Sequence, residues 1–204
     1  MVIKKVVCKT KEVGLKNLMI GIVKIFWYKI LQKKYHFESW HLTPYELRKY
    51  VQIVAEYVND QNAEYVVDLG CGLGELIRHI KAKRRRGIDI LDETINTARH
   101  LHRFTDIEFK KGSFDELGTE QNIDYLITLG FMHGSPQEVW KPIYCKACKQ
   151  NNIKHIIVDS TQPTEECYRL DFSQILPSEY EECNKIGPLL GGRYLYVYKK
   201  MKSG

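Results

Sequence analysis

A predicted strand followed by three alternating glycines is the most chemically informative stretch of the chain. Residues 65–75 read Tyr-Val-Val-Asp-Leu-Gly-Cys-Gly-Leu-Gly-Glu, so an apolar run ending at Asp68 precedes Gly70, Gly72 and Gly74. Glycine permits backbone conformations and ligand contacts that a Cβ would prevent, and a helix N-terminus directs amide groups at a ligand. The pattern predicts a buried strand, a ligand-binding turn and a helix over residues 75–83.

A second acidic residue narrows the chemistry of this ligand. Asp89 lies nineteen residues after Gly70, at the end of the next predicted strand, where a carboxylate can accept hydrogen bonds from ribose hydroxyls. The spacing Gly-x-Gly-x-Gly differs from the Gly-x-Gly-x-x-Gly of dinucleotide sites. Because Asp68 would repel a pyrophosphate but can accept from an ammonium group, we expect a ligand with a ribose and an amino group.

The elements that must position these residues alternate along the chain. Helices are predicted over residues 44–58, 75–83, 92–102 and 137–150, and strands over 65–68, 87–90, 107–111, 122–129, 155–159, 180–186 and 193–199. Thr43 is expected to cap the first helix and Asp92 the third. Short loops and alternation predict an α/β fold, a doubly wound, mostly parallel seven-stranded sheet with a C-terminal antiparallel β-hairpin, preceded by N-terminal helices.

The N-terminal arm differs from the rest of the chain in charge. Residues 1–34 contain nine lysines and one acid, Glu12, a formal charge of +8, whereas residues 35–204 carry 22 basic and 24 acidic residues. We therefore divide the chain into an arm with an aromatic lid, residues 1–43, and a domain, residues 44–204. The imbalance suggests an anionic partner, whether a membrane, a nucleic acid or a polyanionic glycan, with a solubilising tail as an equally good alternative. Nucleic acid is disfavoured, because the other basic run, residues 83–86, has no aromatic platform beside it.

An amphipathic helix is predicted within the arm, over residues 15–31. It is too short and too charged to span a bilayer and has no signal-peptide cleavage site. We expect it to pack on the domain, with an anionic membrane surface as the alternative. The apolar residues at helical spacing are Leu15, Leu18, Met19, Ile22, Val23, Phe26 and Ile30.

The six cysteines bear on the compartment and on metal binding. They lack the spacing of a disulfide framework, which is typical of a reducing, cytoplasmic compartment. Cys145 and Cys148 form one Cys-x-x-Cys pair, whereas a closed zinc site needs about four ligands. The sequence therefore predicts no metal site.

These motifs together resemble the class I S-adenosylmethionine-dependent methyltransferases, which have a Rossmann-like fold. The resemblance covers residues 44–200 and rests on Val-Val-Asp-Leu-Gly-Cys-Gly-Leu-Gly, Gly-Ile-Asp-Ile at 87–90, Gly-Ser-Phe-Asp at 112–115, and residues 124–130. It implies S-adenosylmethionine as the cofactor. The cofactor-binding residues that it implies are Asp68, Gly70, Cys71, Gly72 and Gly74 at the methionine end, Asp89 and Ile90 at the ribose, Ser113 and Phe114 at the adenine, and Gly130 beside the methyl donor.

The adenine contact departs from the family pattern. The family often places an acid directly after the glycine of its third motif, to accept from the adenine amino group. Here Ser113 stands at that position and Asp115 follows two residues later. The contact therefore falls either to the backbone of Ser113 or Phe114, or to the Asp115 carboxylate.

Three residues are candidates for removing a proton from a hydroxyl acceptor. His133 follows the fourth predicted strand, His41 lies in the aromatic segment 35–45, and Asp159 ends the fifth strand. The loop after strand four reads Gly-Phe-Met-His rather than the Asn/Asp-Pro-Pro-aromatic motif of enzymes that methylate exocyclic amines. Methylation of adenine N6 or cytosine N4 is therefore disfavoured.

The arm, residues 37–44 and the glycine motif are also similar to small bacterial methyltransferases found with polysaccharide genes. This similarity implies O-methylation of a sugar or surface glycan, with Trp40 as a surface on which a sugar ring could stack. The alternatives are an RNA or small-molecule methyltransferase, a non-catalytic binding module and a nicotinamide reductase. Cytoplasmic location, at the membrane periphery if the arm binds lipid, is the corresponding expectation.

Overall fold

The computed structural model describes residues 2–119, 121–162, 164 and 167–201, with side chains from residue 8 onward. Six helices and seven strands occur in these residues. The helices are α1 Val2–Val13, α2 Leu15–Tyr35, α3 Lys49–Asn59, α4 Asp92–Leu101, α5 Gln137–Gln150 and α6 Phe172–Ile175. The strands are β1 Tyr65–Leu69, β2 Arg84–Asp89, β3 Glu108–Lys111, β4 Asn122–Thr128, β5 Asn152–Ser160, β6 Tyr180–Leu189 and β7 Arg193–Lys200.

The seven strands form one sheet in the order β3-β2-β1-β4-β5-β7-β6. The first five are parallel, and β7 is antiparallel to both β5 and β6. Both faces of β1 are covered, so Val66 and Val67 are fully buried. One face packs against α3 and α4, and the other against α5 and α6. The predicted fold class is confirmed, including the terminal hairpin.

The two predicted helix N-caps, Thr43 and Asp92, are both wrong. Pro44 is extended, a short 3₁₀ turn covers Tyr45–Leu47, and α3 begins only at Lys49, so Thr43 is not the N-cap of this helix. The turn is held by side chains distant in sequence: Glu75 accepts from the Tyr45 amide at 2.6 Å. Asp92 likewise caps nothing, because Leu91 occupies the N-cap position of α4 and makes no side-chain cap.

The helix predicted over residues 75–83 is also wrong. Gly74 has φ 77°, which delays any helical turn, and only the 3₁₀ turn Ile77–His79 forms before Ile80 becomes extended. Asn59, at the end of α3, fixes this exit. Its amide donates to the His79 carbonyl at 2.9 Å and its oxygen accepts from the Lys81 amide at 2.7 Å. Strand β2 then starts at Arg84, so the basic run 84–86 belongs to the strand.

Helix α2 packs on the domain through a different face from the predicted one. Its buried residues are Gly21, Tyr28 and Leu31. The expectation that the apolar residues of this helix would be buried is wrong, because most of them are exposed. Those with exposed fractions of 42–67% are Leu15, Met19, Ile22, Val23, Phe26 and Ile30. None of the helices in the described part of the chain is long and apolar enough to cross a membrane.

A buried hydrogen bond joins α2 to the glycine motif. The Tyr28 hydroxyl donates to the carboxylate of Glu75, whose side chain is buried. Burial alone would raise the pKa of Glu75, but Lys24, the Tyr28 hydroxyl, Arg48 and the Tyr45 amide together hold the pKa below its ordinary value of 4.5. Glu75 is therefore ionised at neutral pH and ties the arm to the loop that follows β1.

We expect Tyr28→Phe to lower the free energy of unfolding by about 1.5–3 kcal/mol, because it removes a hydrogen bond to a buried carboxylate. Urea unfolding at pH 7 measures this loss. Because the pKa of Glu75 lies below its ordinary value of 4.5, the carboxylate is still ionised at pH 5. The loss of unfolding free energy should therefore persist at pH 5. Tyr35→Phe, on the same helix but with its ring beside His100, is the control. Equal stabilities for the two variants would contradict the prediction.

Candidate active site

The glycine loop lies at the carboxyl end of β1, in the middle of the sheet. Gly70, Gly72 and Gly74 have φ values of 75°, 55° and 77°, in the left-handed region that favours glycine. The amides of Gly70 and Cys71 both donate to the carbonyl of Ile88 on β2, at 2.8 and 3.0 Å. These bonds turn the loop back over the end of the neighbouring strand. Cys71 itself is buried, and burial raises the pKa of its thiol.

Two aromatic rings lie against this loop from different parts of the chain. A Cβ at Gly70 would lie 2.6 Å from the ring of Phe131, and one at Gly72 would lie 2.8 Å from Nδ1 of His41. Phe131 comes from the loop after β4, and His41 from the predicted lid. Both glycines are therefore required by contact as well as by backbone conformation.

A hydrogen bond to the His41 ring indicates which of its two nitrogens carries the proton. The Trp40 indole donates to Nε2 of His41 at 3.1 Å. Burial lowers the pKa of His41, with Arg48 adding to this and Asp89 opposing it, so the imidazole is neutral at pH 7. A neutral ring that accepts at Nε2 carries its proton on Nδ1, the atom that faces Gly72.

Asp68 is a buried carboxylate with an unused acceptor. Its Oδ2 is buried and has no hydrogen-bond partner among the described residues, and the same is true of Nε of Arg48. Burial, together with the charge of Asp89, raises the pKa of Asp68 to about 7, against the opposing effects of Arg48 and the Ile77 amide. A buried unpaired acceptor and a buried unpaired donor fit the ammonium and carboxylate groups of an amino acid. The residues present thus fit the methionine part of the expected cofactor.

Asp89 lies at the end of β2, beside the same loop. Its Oδ2 accepts from the Gly72 amide at 2.9 Å and its Oδ1 from the Leu91 amide at 3.1 Å. Each carboxylate oxygen has a further lone pair, so hydroxyl donors can still be accepted. The next residue, Ile90, is 67% exposed and offers an apolar surface next to this carboxylate.

The segment after β3 leaves the adenine contact open. The Ser113 amide donates to Asp115 Oδ1 at 3.2 Å, and the Phe114 ring packs edge-on against Tyr144, with the ring centroids 5.0 Å apart. A cavity of about 220 Å³ lies between residues 113–115 and α5, where Lys146 lines it. Because the Phe114 ring is directed into the core, the backbone or Asp115 is better placed to meet a base.

A second cluster forms where β4, β5 and β7 meet. Asp159 is buried, accepts from the Gly130 amide at 2.8 Å through Oδ1, and forms an ion pair with Arg193 at the start of β7. The Arg193 guanidinium stacks over the ring of Tyr50, 4.3 Å from its centroid.

His133 belongs to the edge of this cluster. Its backbone carbonyl accepts from the Tyr168 amide at 2.8 Å, which fixes the loop. The ring makes no hydrogen bond within the described residues. Burial lowers the pKa of His133, and the charge of Arg193 lowers it further. The imidazole is therefore neutral at pH 7 with a free lone pair.

The structure thus gathers the predicted residues into two neighbouring groups. Asp68, the glycines, Asp89 and His41 surround the loop after β1, and His133, Gly130 and Asp159 surround the end of β4. Arg48 is within electrostatic reach of both groups, since its charge lowers the pKa of Asp68, His41 and Arg193.

Sequence reasoning missed four residues of these groups: Arg48, Tyr50, Phe131 and Arg193. Arg48 and Tyr50 read as part of a helix, although they flank its true start. Arg193 directly follows Gly191 and Gly192 at the beginning of the last strand. No local pattern indicates its role, because residue 193 reaches Asp159 only when β7 lies beside β5 in the folded sheet.

The family of this chain follows from its similarity to known proteins. Residues 60–176, more than half of the chain, match the family described as Methyltransferase domain. The chain belongs to this family. No curated protein is significantly similar to it in sequence.

Solved structures support the same fold. The magnesium protoporphyrin IX methyltransferase ChlM of Synechocystis PCC 6803, with bound S-adenosylmethionine, aligns with a TM-score of 0.65 and 14% identity over 90% of this chain and 96% of that chain. The N-methyltransferase NodS of Bradyrhizobium japonicum WM9, in complex with S-adenosylhomocysteine, aligns with a TM-score of 0.64 and 15% identity over 86% and 98%. The chain is thus a methyltransferase by family, and the expected cofactor, S-adenosylmethionine, is consistent with these neighbours. Their different acceptors do not identify its own.

Gly72→Ala should be more destabilising than Gly118→Ala. Both glycines have positive φ, 55° and 76°, so each alanine costs about 1–2 kcal/mol of backbone strain. Only at Gly72 would the new carbon also displace a side chain, His41, because nothing lies within 4 Å of a Cβ at Gly118. Urea unfolding compares the two, and calorimetry with S-adenosylhomocysteine should show weakened binding for Gly72→Ala alone. Equal effects of the two variants would mean that the His41 contact is unimportant.

Proposed function

We propose that the protein transfers the methyl group of S-adenosylmethionine to a hydroxyl group of a sugar or polysaccharide. The observation that carries the donor half of this proposal is the buried, unpartnered Oδ2 of Asp68 beside the positive-φ glycines, with the unpartnered Nε of Arg48 within electrostatic reach. When bound, the cofactor supplies a sulfonium methyl group that an oxygen nucleophile can attack.

The chain's own residues would hold the two ends of the donor. Asp68 accepts from its ammonium group, and Arg48 donates to its carboxylate. Asp89 accepts from the ribose hydroxyls, with the exposed apolar side chain of Ile90 beside the ribose. Cys71 and Gly74 complete the loop, and the Nδ1 proton of His41 points at Gly72, where it can donate to the ligand. His41 in this role is a donor rather than a base, because Trp40 occupies its Nε2 lone pair.

His133 is the best-supported general base. Its ring has no hydrogen-bond partner among the described residues, and its lowered pKa, caused by burial and the charge of Arg193, keeps it neutral at physiological pH. A neutral imidazole can take the proton of a hydroxyl as the oxygen attacks. Asp159 has one oxygen on Gly130 and the other on Arg193, which supports a positioning role for it rather than proton transfer.

The acceptor half of the proposal rests on the surface beside the loop. The indole of Trp40 is 67% exposed while its N–H is held by His41, so a flat aromatic face is presented next to the donor site. Such a face suits a sugar ring, which is apolar on one side.

Six free cysteines occur in the chain, which supports a reducing, cytoplasmic compartment.

The donor is tested by mass spectrometry of the ligand that co-purifies and by calorimetry. S-adenosylhomocysteine should bind and NAD should not, since Asp68 disfavours a pyrophosphate. Transfer of labelled methyl groups to saccharide pools, compared with RNA pools, tests the acceptor. Binding of S-adenosylhomocysteine without transfer to any pool would favour a non-catalytic binding module.

Affinity for S-adenosylhomocysteine should fall as the pH drops below 7. The ammonium group needs the Asp68 carboxylate, whose pKa in the free protein is raised to about 7 by burial. Protonation below that value competes with binding, by up to about tenfold per pH unit. Calorimetry on both sides of pH 7 measures the slope. Asp68→Asn should weaken binding and abolish the slope. In Asp89→Asn the affinity should begin to fall only at a lower pH, because the Asp89 charge that raises the pKa of Asp68 is gone. A slope that survives in Asp68→Asn would contradict this assignment.

His133→Ala should reduce methyl transfer by about 100-fold, the usual contribution of a general base, while leaving S-adenosylhomocysteine affinity unchanged. Because the pKa of His133 is lowered from 6.5, kcat/KM for the acceptor, measured with saturating S-adenosylmethionine so that Asp68 is held ionised, should rise with pH and level off before pH 6.5 in the unaltered protein. His100→Ala, on α4 with its ring beside Tyr35, is the control and should turn over normally. Normal turnover by His133→Ala would remove this residue from the mechanism.

A further inference from the structure

Helix α2 carries two opposite faces, and only one of them is used by the domain. Gly21, Tyr28 and Leu31 are buried, and a Cβ at Gly21 would lie 2.4 Å from Leu47, so this side is in close contact. Six large apolar side chains occupy the other side. At about 100° per residue, an arc of about 100° opposite the buried face contains Leu15, Met19, Ile22, Val23, Phe26 and Ile30.

This outer face is exposed to an unusual extent for apolar residues. Phe26 is 64% exposed, Val23 67% and Ile30 60%, and Trp27 at its border is 49% exposed. Contiguous exposed apolar surface marks an interaction site. The domain cannot cover it, since the buried face of the same helix already faces the domain.

The charges around the face define the partner. Lys16, Lys29, Lys33 and Lys34 lie on or beside the same arc, and α2 contains no acidic residue. Lys24, by contrast, is on the inner side and pairs with Glu46 at 2.7 Å. Residues 1–34 as a whole carry a formal charge of +8. A second copy of the chain would bring two such charges together, whereas an anionic surface neutralises them.

We propose that the outer face of α2 binds an anionic lipid bilayer, with the helix parallel to the surface. An apolar stripe with lysines along it and an aromatic residue at its border is the composition of helices that lie in the headgroup region. Lysines near anionic lipids add attraction that falls with salt. The inner face would remain on the domain, so that Tyr28 and Glu75 hold the glycine loop beside the bilayer. The inference depends on neither the donor nor the acceptor proposed above.

Co-sedimentation with vesicles tests the surface. The full chain should bind vesicles of phosphatidylcholine and phosphatidylglycerol, bind pure phosphatidylcholine at least tenfold more weakly, and release from the mixed vesicles as salt rises. The triple variant Val23→Gln, Phe26→Gln, Ile30→Gln should lose at least tenfold in affinity. Lys29→Gln, Lys33→Gln, Lys34→Gln should lose the preference for anionic lipid. Phe104→Gln, at an 88% exposed phenylalanine outside α2, is the matched control and should bind as the unaltered chain does.

Two outcomes would overturn the proposal. One is equal vesicle binding, or equal lack of it, for the unaltered chain and the apolar triple variant. The other is concentration-dependent self-association in sedimentation velocity that the triple variant abolishes, which would assign the face to a second copy. Calorimetry with S-adenosylhomocysteine on the same samples checks folding. If the unaltered chain did not bind S-adenosylhomocysteine, that result would contradict the proposed methyl donor but not the proposed lipid-binding face.

Discussion

The buried carboxylate of Glu75 is the interaction on which the arrangement of the site depends. It accepts from the Tyr28 hydroxyl of α2 and from the Tyr45 amide, and Lys24 and Arg48 contribute the charge that keeps it ionised. A carboxylate out of water requires such partners. Because these partners come from the arm and from the turn before α3, satisfying one side chain places both segments over the glycine loop. Burial of Glu75 thus makes the N-terminal segments part of the site.

Local features of the sequence were enough to predict the core of this structure. The apolar run at residues 65–69 and the three glycines carry their own conformational preferences, and all three glycines have positive φ. Helix α5 was predicted at its observed bounds, because its periodicity is bordered by Pro136 and by Asn151. The two terminal strands form the expected antiparallel pair, although the sequence could not show that β7 inserts between β5 and β6.

The failures occur where distant side chains override local preference. Residues 75–83 have helical spacing, yet Gly74 and the Asn59 cap reduce the helix to one 3₁₀ turn. In α2 the apolar spacing was interpreted as the packed face, but Tyr28 and Gly21 decide which side is buried, through Glu75 and Leu47. Arg48 and Arg193 act through partners that only the folded chain brings near. A pattern of residue types does not contain these pairings.

The site also depends on β7, the last strand of the chain. Arg193, the first residue of β7, pairs with Asp159, and the other oxygen of Asp159 holds the amide of Gly130. The ring of Phe131, the next residue, lies against Gly70 of the glycine loop. The contacts therefore run from the C-terminal hairpin through the loop after β4 to the loop after β1. Since β7 pairs with β5, this series of contacts can be completed only when the last strand of the chain has joined the sheet. A site of this construction is formed together with the fold, so the residues proposed for the donor and for proton transfer share the stability of the sheet.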